Sequence, residues 1–442
     1  MLSGFLTVAG LTLLAKSISF LKDAAVAGRF GTSESLDAFL LAFSLLSTLA
    51  SMLGVGMPEA FLPAFAGVAH DRSLLHAQRL GVQMAFFNGS CLFALGVIMY
   101  SAAPGIIGFA AGGFDQENKA LAVQALRGLL PFFLCFGMTF HLGSWLRAQK
   151  KFAVASISPV LLPLVIIICL LAAGKQVSLA TLVLGTNLGA IISLGCLVVA
   201  LFLRLPRNAA WFSSCLKEWE PASMVVLKNS LPYLLAGTIM GSSVVVDQTM
   251  AAWLEPGSVA VLTYSDKICG IILALTATAS SDAIFPFFAE TVARRQWPEV
   301  RRQLLQVTGV MLAIALPLMA VLCIFAPQIV SLLFQRGEFG ADDTARVSVV
   351  LRFAVLQVPF YIMGILASRI AVSLQATRFM LFASIISMIL NVACNAWFMR
   401  YLGVAGIALS TAMVHLFSAA AFYIFIFRAI DRRTQTQLEA AP

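Results

Sequence analysis

The sequence predicts an all-α polytopic membrane protein of about 12 transmembrane helices, arranged as two six-helix lobes around a central cavity. Three observations carry this prediction. Of 442 residues, 60% are hydrophobic and only 11% charged, with a mean hydropathy of +0.94. Long apolar runs at such a composition are membrane-spanning helices. The short alternating segments of a membrane β-barrel do not occur. Finally, the second half of the chain repeats landmarks of the first in the same order.

In chain order the predicted spans are 4–27, 36–66, 80–110, 120–146, 152–173, 178–203, 229–253, 258–289, 303–334, 345–373, 379–399 and 402–427. Several exceed the roughly 20 residues that cross a bilayer, so tilt or extension beyond it is expected. The first span holds Lys16, Lys22 and Asp23. A cleavable signal would be purely apolar there, so none is expected. Pro58, Pro63, Pro131, Pro159, Pro163, Pro232, Pro286, Pro317 and Pro359 lie in or near spans. Neighbouring groups can satisfy the backbone that such prolines free, and the helices can bend there.

Charge asymmetry orients the spans. Of 29 Lys and Arg residues, 17 lie in one set of loops and the C-terminal tail, 6 in the opposite set and 6 inside spans. The positive-inside rule then predicts a multi-pass protein of the cell inner membrane with both termini cytoplasmic. The net charge of +9 is accounted for by topology and lipid headgroups, with no nucleic-acid partner.

The internal repeat defines the domains. Ala103-Pro104, LRGLLPFF (126–133) and LRAQKKF (146–152) are matched by Ala326-Pro327, LRFAVLQVPFY (351–361) and SLQATRF (373–379). The offset is 223 residues at the first Pro and 227 at the last Phe. VSLATLVLGT (177–186) is echoed by VAGIALST (404–411). The predicted domains are an N-terminal lobe 1–205, a cytoplasmic linker 206–228, a C-terminal lobe 229–430 and a tail 431–442. Parallel repeats enclose a site that opens alternately to each side, and the chain is expected to work as a monomer.

The chemistry resides in charges placed where lipid should be. Ala15–Phe43 carries Lys16, Lys22, Asp23 and Asp37 within the first two spans. Each mid-membrane charge costs about 2.5–3.5 kcal/mol on insertion scales, so a polar interior must receive them. Lys16 and Asp23 are seven residues apart and share a helix face, about 10 Å apart along the axis. TYSDKI adds Asp266 and Lys267 in the eighth span. Three lysines suit a diphosphate, with the aspartates holding them poised. A set of ion pairs that only fixes packing is the other reading.

A second set, Asp247, Asn391, Asn395 and Thr411, is expected at similar depth in spans seven, eleven and twelve. One carboxylate, two amides and a hydroxyl suit a hard cation such as sodium. A proton on Asp247 and plain interhelical hydrogen bonding are the alternatives. Arg127 and Arg352 are expected to snorkel from repeat-equivalent positions. Glu59, Asp282 and Glu290 suggest an inner gate, and His141 a hydrogen-bonded core residue. The eight cysteines are scattered without CxxC spacing, which fits small core residues with neither disulfide framework nor metal site. There is no phosphate-binding glycine loop, His/Cys metal cluster or nucleophile–base motif, so a transporter without catalytic residues or cofactor is expected.

These stretches resemble the MurJ/MviN family. KSISFLKDAAVAGRFGTSESLDAFLLAF (16–43) is similar to its first two helices, where a basic residue, a GF-type pair, Arg-Asp and DAF follow at this spacing. TYSDKI (263–268) resembles its Tyr-Ala-Asp-Arg motif, and FQRGEF (334–339) its short loop after helix nine. The family belongs to the multidrug/oligosaccharidyl-lipid/polysaccharide exporter superfamily, and its best-known members flip lipid II. The resemblance places Lys16, Lys22 and Lys267 where the family has cavity arginines, and matches Asp23, Asp37 and Asp266 to its acidic positions. Asp247, Asn391, Asn395 and Thr411 resemble its sodium site. The further cavity basic residue that the family has in helix two falls near Ala50 and is missing from this chain, and typical members carry two helices beyond the twelve predicted here. The resemblance implies a flippase for lipid II or a related polyprenyl-diphosphate-linked saccharide. Ion- or potential-driven alternating access (Na+ or H+) would power it, with glycan-assembly enzymes as partners. The alternative is a cation-coupled multidrug antiporter, whose cargo the lysines would repel.

Overall fold

A computed structural model describes residues 2–174, 177–206, 209–274 and 287–439. Among the described residues the regular structure is helical throughout. The chain forms two compact units, Met1–Gly257 and Ser258–Pro442.

The first unit contains α1 (Leu2–Phe30), α2 (Glu34–Asp71), α3 (Leu74–Ala110), α4 (Gln116–Gly128), α5 (Leu130–Ala148), α6 (Phe152–Ala172), α7 (Leu179–Phe202), α8 (Ala209–Lys217) and α9 (Pro221–Ala251). The long helix α2 is its axis, with α3, α4, α5 and α9 packed around it. Helix α1 packs along α6, and α6 along α7. Phe61, Leu80, Met84, Trp145, Leu197 and Val226 form one core where α2, α3, α5, α7 and α9 converge. Gly81 permits that convergence: a Cβ there would lie 2.3 Å from the Trp145 ring.

The second unit contains α10 (Ser258–Leu273), α11 (Trp297–Ile324), α12 (Ala326–Phe334), α13 (Ala341–Ala354), α14 (Gln357–Ser373), α15 (Thr377–Leu402) and α16 (Val404–Glu439). Helix α16 packs against α13, α14 and α15, and α10 against α13. Phe288, Trp297, Leu304, Ile370, Tyr423 and Ile426 anchor its core. The α15–α16 hairpin is tight. Gly403 turns with φ +54°, and a Cβ on Gly406 would lie 2.4 Å from the Phe398 carbonyl.

Eight of the described helices are long and apolar enough to cross a membrane, nine if the bent pair α4–α5 is one span. Large apolar residues such as Phe93, Phe109, Ile191 and Ile389 stand on the outside, as lipid-facing helices require. Helices α1 and α9 coincide with two further expected spans and α10 with the first part of the span expected at 258–289, of which 275–286 lie outside the described residues; none of the three is among those counted.

The internal repeat is visible as geometry. LRGLLPFF straddles the α4–α5 break, which bends the span by 45°. LRFAVLQVPFY straddles the α13–α14 break. Lys150 and Gln375, in the matching turns after these helices, take left-handed backbone at φ 59° and 57°. Gly174 and Gly403, before spans six and twelve, do so at 60° and 54°. Arg127 and Arg352, expected to snorkel, also occupy matching positions. Arg127 Nε donates to the Tyr100 carbonyl at 3.2 Å, and Arg352 Nε to the Cys323 carbonyl at 3.1 Å.

Candidate functional site

Helix α1 carries the charges that open the chain. Lys22 Nζ and Asp23 Oδ1 form an ion pair at 2.5 Å, with side chains only 17% and 11% exposed. Lys16, nearly two turns earlier, is exposed. Asp23, expected to share a face with Lys16, is thus held by its neighbour Lys22. Neither charge of the pair is isolated in the low-dielectric interior, where an unpaired ion is costly.

Asp37 lies in the first turn of α2 and is 1% exposed. Its Oδ2 accepts the Gly257 N–H at 2.8 Å, fixing the turn after α9, where Gly257 has φ 84°. It lines a cavity of about 210 Å³ with Glu34, Asp115 and Asn118. The Asn118 amide donates to Glu34, Gly113 N–H to the Ala252 carbonyl at 3.2 Å, and Trp253 Nε1 to the Phe109 carbonyl at 3.1 Å. Asp37 therefore belongs to a cross-linked corner of α2, the α3–α4 loop and the chain after α9.

In the second unit, Asp266 and Lys267 are exposed, while Tyr264, Ser265, Ile268 and Cys269 on the same helix are buried. The α-helical period puts the two charges on the face of α10 that turns away from its own core. Tyr264 is the anchor. Its ring lies 5.0 Å from Phe334 and 5.6 Å from Phe339, which lie 5.9 Å from each other. The two motifs TYSDKI and FQRGEF thus meet in one aromatic triangle. Gln357 Nε2 donates to Cys269 Sγ at 3.4 Å, tying α10 to the start of α14.

Asn391 and Asn395 are buried on one face of α15. Ser410 of α16 reaches across to the Asn391 carbonyl at 3.4 Å. Thr411 donates its hydroxyl to the Ile407 carbonyl at 3.2 Å, which leaves its oxygen lone pairs for another partner. The α15–α16 pair therefore brings three of the four expected cation ligands onto adjoining helices. Asp247 is half-buried on α9 in the first unit.

The remaining polar residues have structural surroundings. His141 is fully buried, bonded to the Gly81 carbonyl at 3.2 Å and packed on Phe61 at 4.9 Å. Glu290 pairs with Arg294 at 2.5 Å, Glu59 is exposed on α2, and Asp282 lies outside the described residues.

Sequence reasoning missed a polar clamp on the linker. Glu220, 3% exposed, begins α9 and takes Arg72 at 2.6 Å and His76 at 3.1 Å. Buried Gln83 donates to the Cys215 and Glu218 carbonyls, both at 2.7 Å. It accepts from the Glu220 N–H at 3.1 Å and the Ser223 hydroxyl at 2.7 Å. Arg79 pairs with Glu218 at 2.9 Å. Glu220 preceding Pro221 had the form of a helix start, but nothing local indicated that Gln83 would meet it.

A family model described as "Lipid II flippase MurJ" matches residues 26–440. The probable lipid II flippase MurJ of Rhizobium tropici is 23% identical over 440 residues, spanning 96% of this chain and 80% of that protein. The probable lipid II flippase MurJ of Helicobacter pylori is 26% identical over 410 residues, spanning 89% and 87%. A solved structure of the lipid II flippase MurJ in an inward closed conformation superposes with TM-score 0.81 at 19% identity, covering 98% of this chain and 90% of that one. An inward-facing multidrug resistance MATE family transporter superposes with TM-score 0.79 at 18% identity, covering 98% and 99%. At these identities the superpositions speak for the fold.

Proposed function

This chain belongs to the lipid II flippase MurJ family, and from that premise we propose that it flips lipid II or a closely related polyprenyl-diphosphate-linked saccharide across the inner membrane. Lys16, Lys22 and Lys267 bind the diphosphate. The observation that carries this reading is the Lys22–Asp23 pair at 2.5 Å in the helix that coincides with the first expected span. A diphosphate brings more negative charge than the single Asp23 carboxylate and competes for Lys22; when it leaves, Asp23 neutralises the lysine again. The empty carrier thus avoids an uncompensated buried cation.

The two six-helix lobes, 1–205 and 229–430, alternate access around this site, with 206–228 as the cytoplasmic linker and both termini cytoplasmic. Asp247, Asn391, Asn395 and Thr411 hold the coupling cation, Na+ or H+. Moving one charge through 100 mV supplies about 2.3 kcal/mol, enough to bias the cycle. The chain acts as a monomer beside glycan-assembly enzymes. A multidrug antiporter has the same architecture in its favour, but the lysines oppose a cationic cargo.

The test is rescue of a strain depleted of its lipid II flippase. The parent chain is expected to restore growth, Lys22→Ala and Lys267→Ala to fail, and Lys22→Arg to succeed. Full rescue by both alanine variants refutes the diphosphate role. Drug resistance conferred without rescue favours the antiporter.

A further inference from the structure

We propose that Arg127 and Arg352 are a matched pair of positioning residues, each replacing the backbone hydrogen bond that a proline removes from the preceding transmembrane helix. The argument begins with helix geometry. A carbonyl at position i accepts the N–H of residue i+4. The residue four after Tyr100 is Pro104, and the residue four after Cys323 is Pro327. Proline has no N–H, and its ring also pushes on that same carbonyl. In water such an oxygen would be solvated; in lipid it needs another donor.

The side chain that supplies the donor is the same in both halves. Arg127 Nε donates to the Tyr100 oxygen at 3.2 Å, and Arg352 Nε to the Cys323 oxygen at 3.1 Å. Tyr100 lies inside α3, where its helical donor would have been Pro104. Cys323 lies in the last turn of α11, so its carbonyl is a helix-end acceptor, and the residue four further on, Pro327 in the first turn of α12, has no N–H with which to continue the ladder. Each contact is reinforced by the side chain of the residue that owns the carbonyl. The Arg127 guanidinium lies 4.8 Å above the Tyr100 ring, and the Cys323 thiol donates to the Arg352 carbonyl at 3.6 Å. The device does not depend on the local helix path. In the first half α3 continues through Pro104 to Ala110, whereas in the second the helix stops at Ile324 and restarts at Ala326. The arginine serves both.

The consequence is positional. Arg127 lies at the end of α4, next to the 45° bend into α5. Arg352 lies near the end of α13, before the break into α14. Each arginine therefore ties the broken span that carries it to the proline-weakened span before it. Generic snorkelling needs only the charge, whereas this role needs a donor aimed at one oxygen.

The test is a set of paired substitutions in purified full-length protein, read by thermal unfolding and by transport activity. Arg127→Ala is expected to lower the unfolding midpoint by about 3 °C or more and to reduce transport. Pro104→Ala restores the N–H of residue 104, so Pro104→Ala/Arg127→Ala is expected to recover most of both losses. Pro327→Ala is expected to rescue Arg352→Ala in the same way, while each proline substitution leaves the other half's arginine loss unrepaired. Arg127→Gln keeps an N–H donor without the charge and is expected to retain more stability than Arg127→Leu. If Arg127→Ala does not accumulate, recovery of expression by the same-half proline change is the readout. Equal rescue by both prolines, no rescue by either, or unshifted arginine variants each overturn the proposal.

Discussion

The linker clamp sets a quantitative expectation, best seen through Gln83→Leu. The substitution preserves size but removes an amide that makes four hydrogen bonds: to the Cys215 and Glu218 carbonyls, and from the Glu220 N–H and Ser223 hydroxyl. Each is worth about 1 kcal/mol net. Some of the orphaned groups lie at helix ends and recover water, so the loss is about 2–4 kcal/mol. The Glu220 ion pairs add less than their distances suggest, because Arg72 and His76 are 49% and 42% exposed and water screens them. At about 1.4 kcal/mol per decade, the opened linker becomes roughly 30- to 1,000-fold more populated. Cys215 reports that opening. It is 0% exposed, and burial pushes its thiol pKa up, with Arg79 pulling it part of the way back. The assay is thiol alkylation under native conditions in a chain whose other seven cysteines are replaced by Ala, all eight being free thiols. Gln83→Leu should accelerate Cys215 labelling at least about 30-fold if opening precedes reaction. Acceleration below about threefold would refute the idea that Gln83 holds the linker down.

Two further substitutions probe the second unit. Tyr264→Ala empties the triangle with Phe334 and Phe339 and is expected to cost about 3–5 kcal/mol; an unchanged unfolding midpoint would show that the rings merely coincide. Gly406→Ala places a Cβ 2.4 Å from the Phe398 carbonyl, and because backbone cannot move aside as a side chain can, little monodisperse protein is expected in size-exclusion chromatography.

How much of this was legible in the sequence depends on whether a residue's meaning is local. The membrane class and the charged first span were legible because a charge in lipid is costly wherever its partner lies. Partners were less so. Lys16 and Asp23 share a helical face on spacing alone, yet Asp23 pairs with Lys22, since rotamers rather than periodicity decide between adjacent side chains. Tyr264 looked like a motif letter until Phe334 and Phe339 met it. Gln83 and Glu220 lie 137 residues apart, and no local pattern joins them.

The repeat adds a kind of legibility that a single residue lacks. Pro104 with Arg127 suggests a kink and a snorkelling charge. Finding Pro327 with Arg352 at the same stations shows that both halves of the repeat keep proline and arginine together. The spacing is 23 residues in one half and 25 in the other, and the first helix runs through its proline while the second breaks before it. What is preserved is the relation between an oxygen deprived of its donor and a side chain able to replace it. Orphaned carbonyls four residues before a transmembrane proline are computable from sequence alone. In the following span the first half offers Arg127 and the second offers Arg346, Arg352 and Arg369, so which arginine meets the oxygen is decided by the fold.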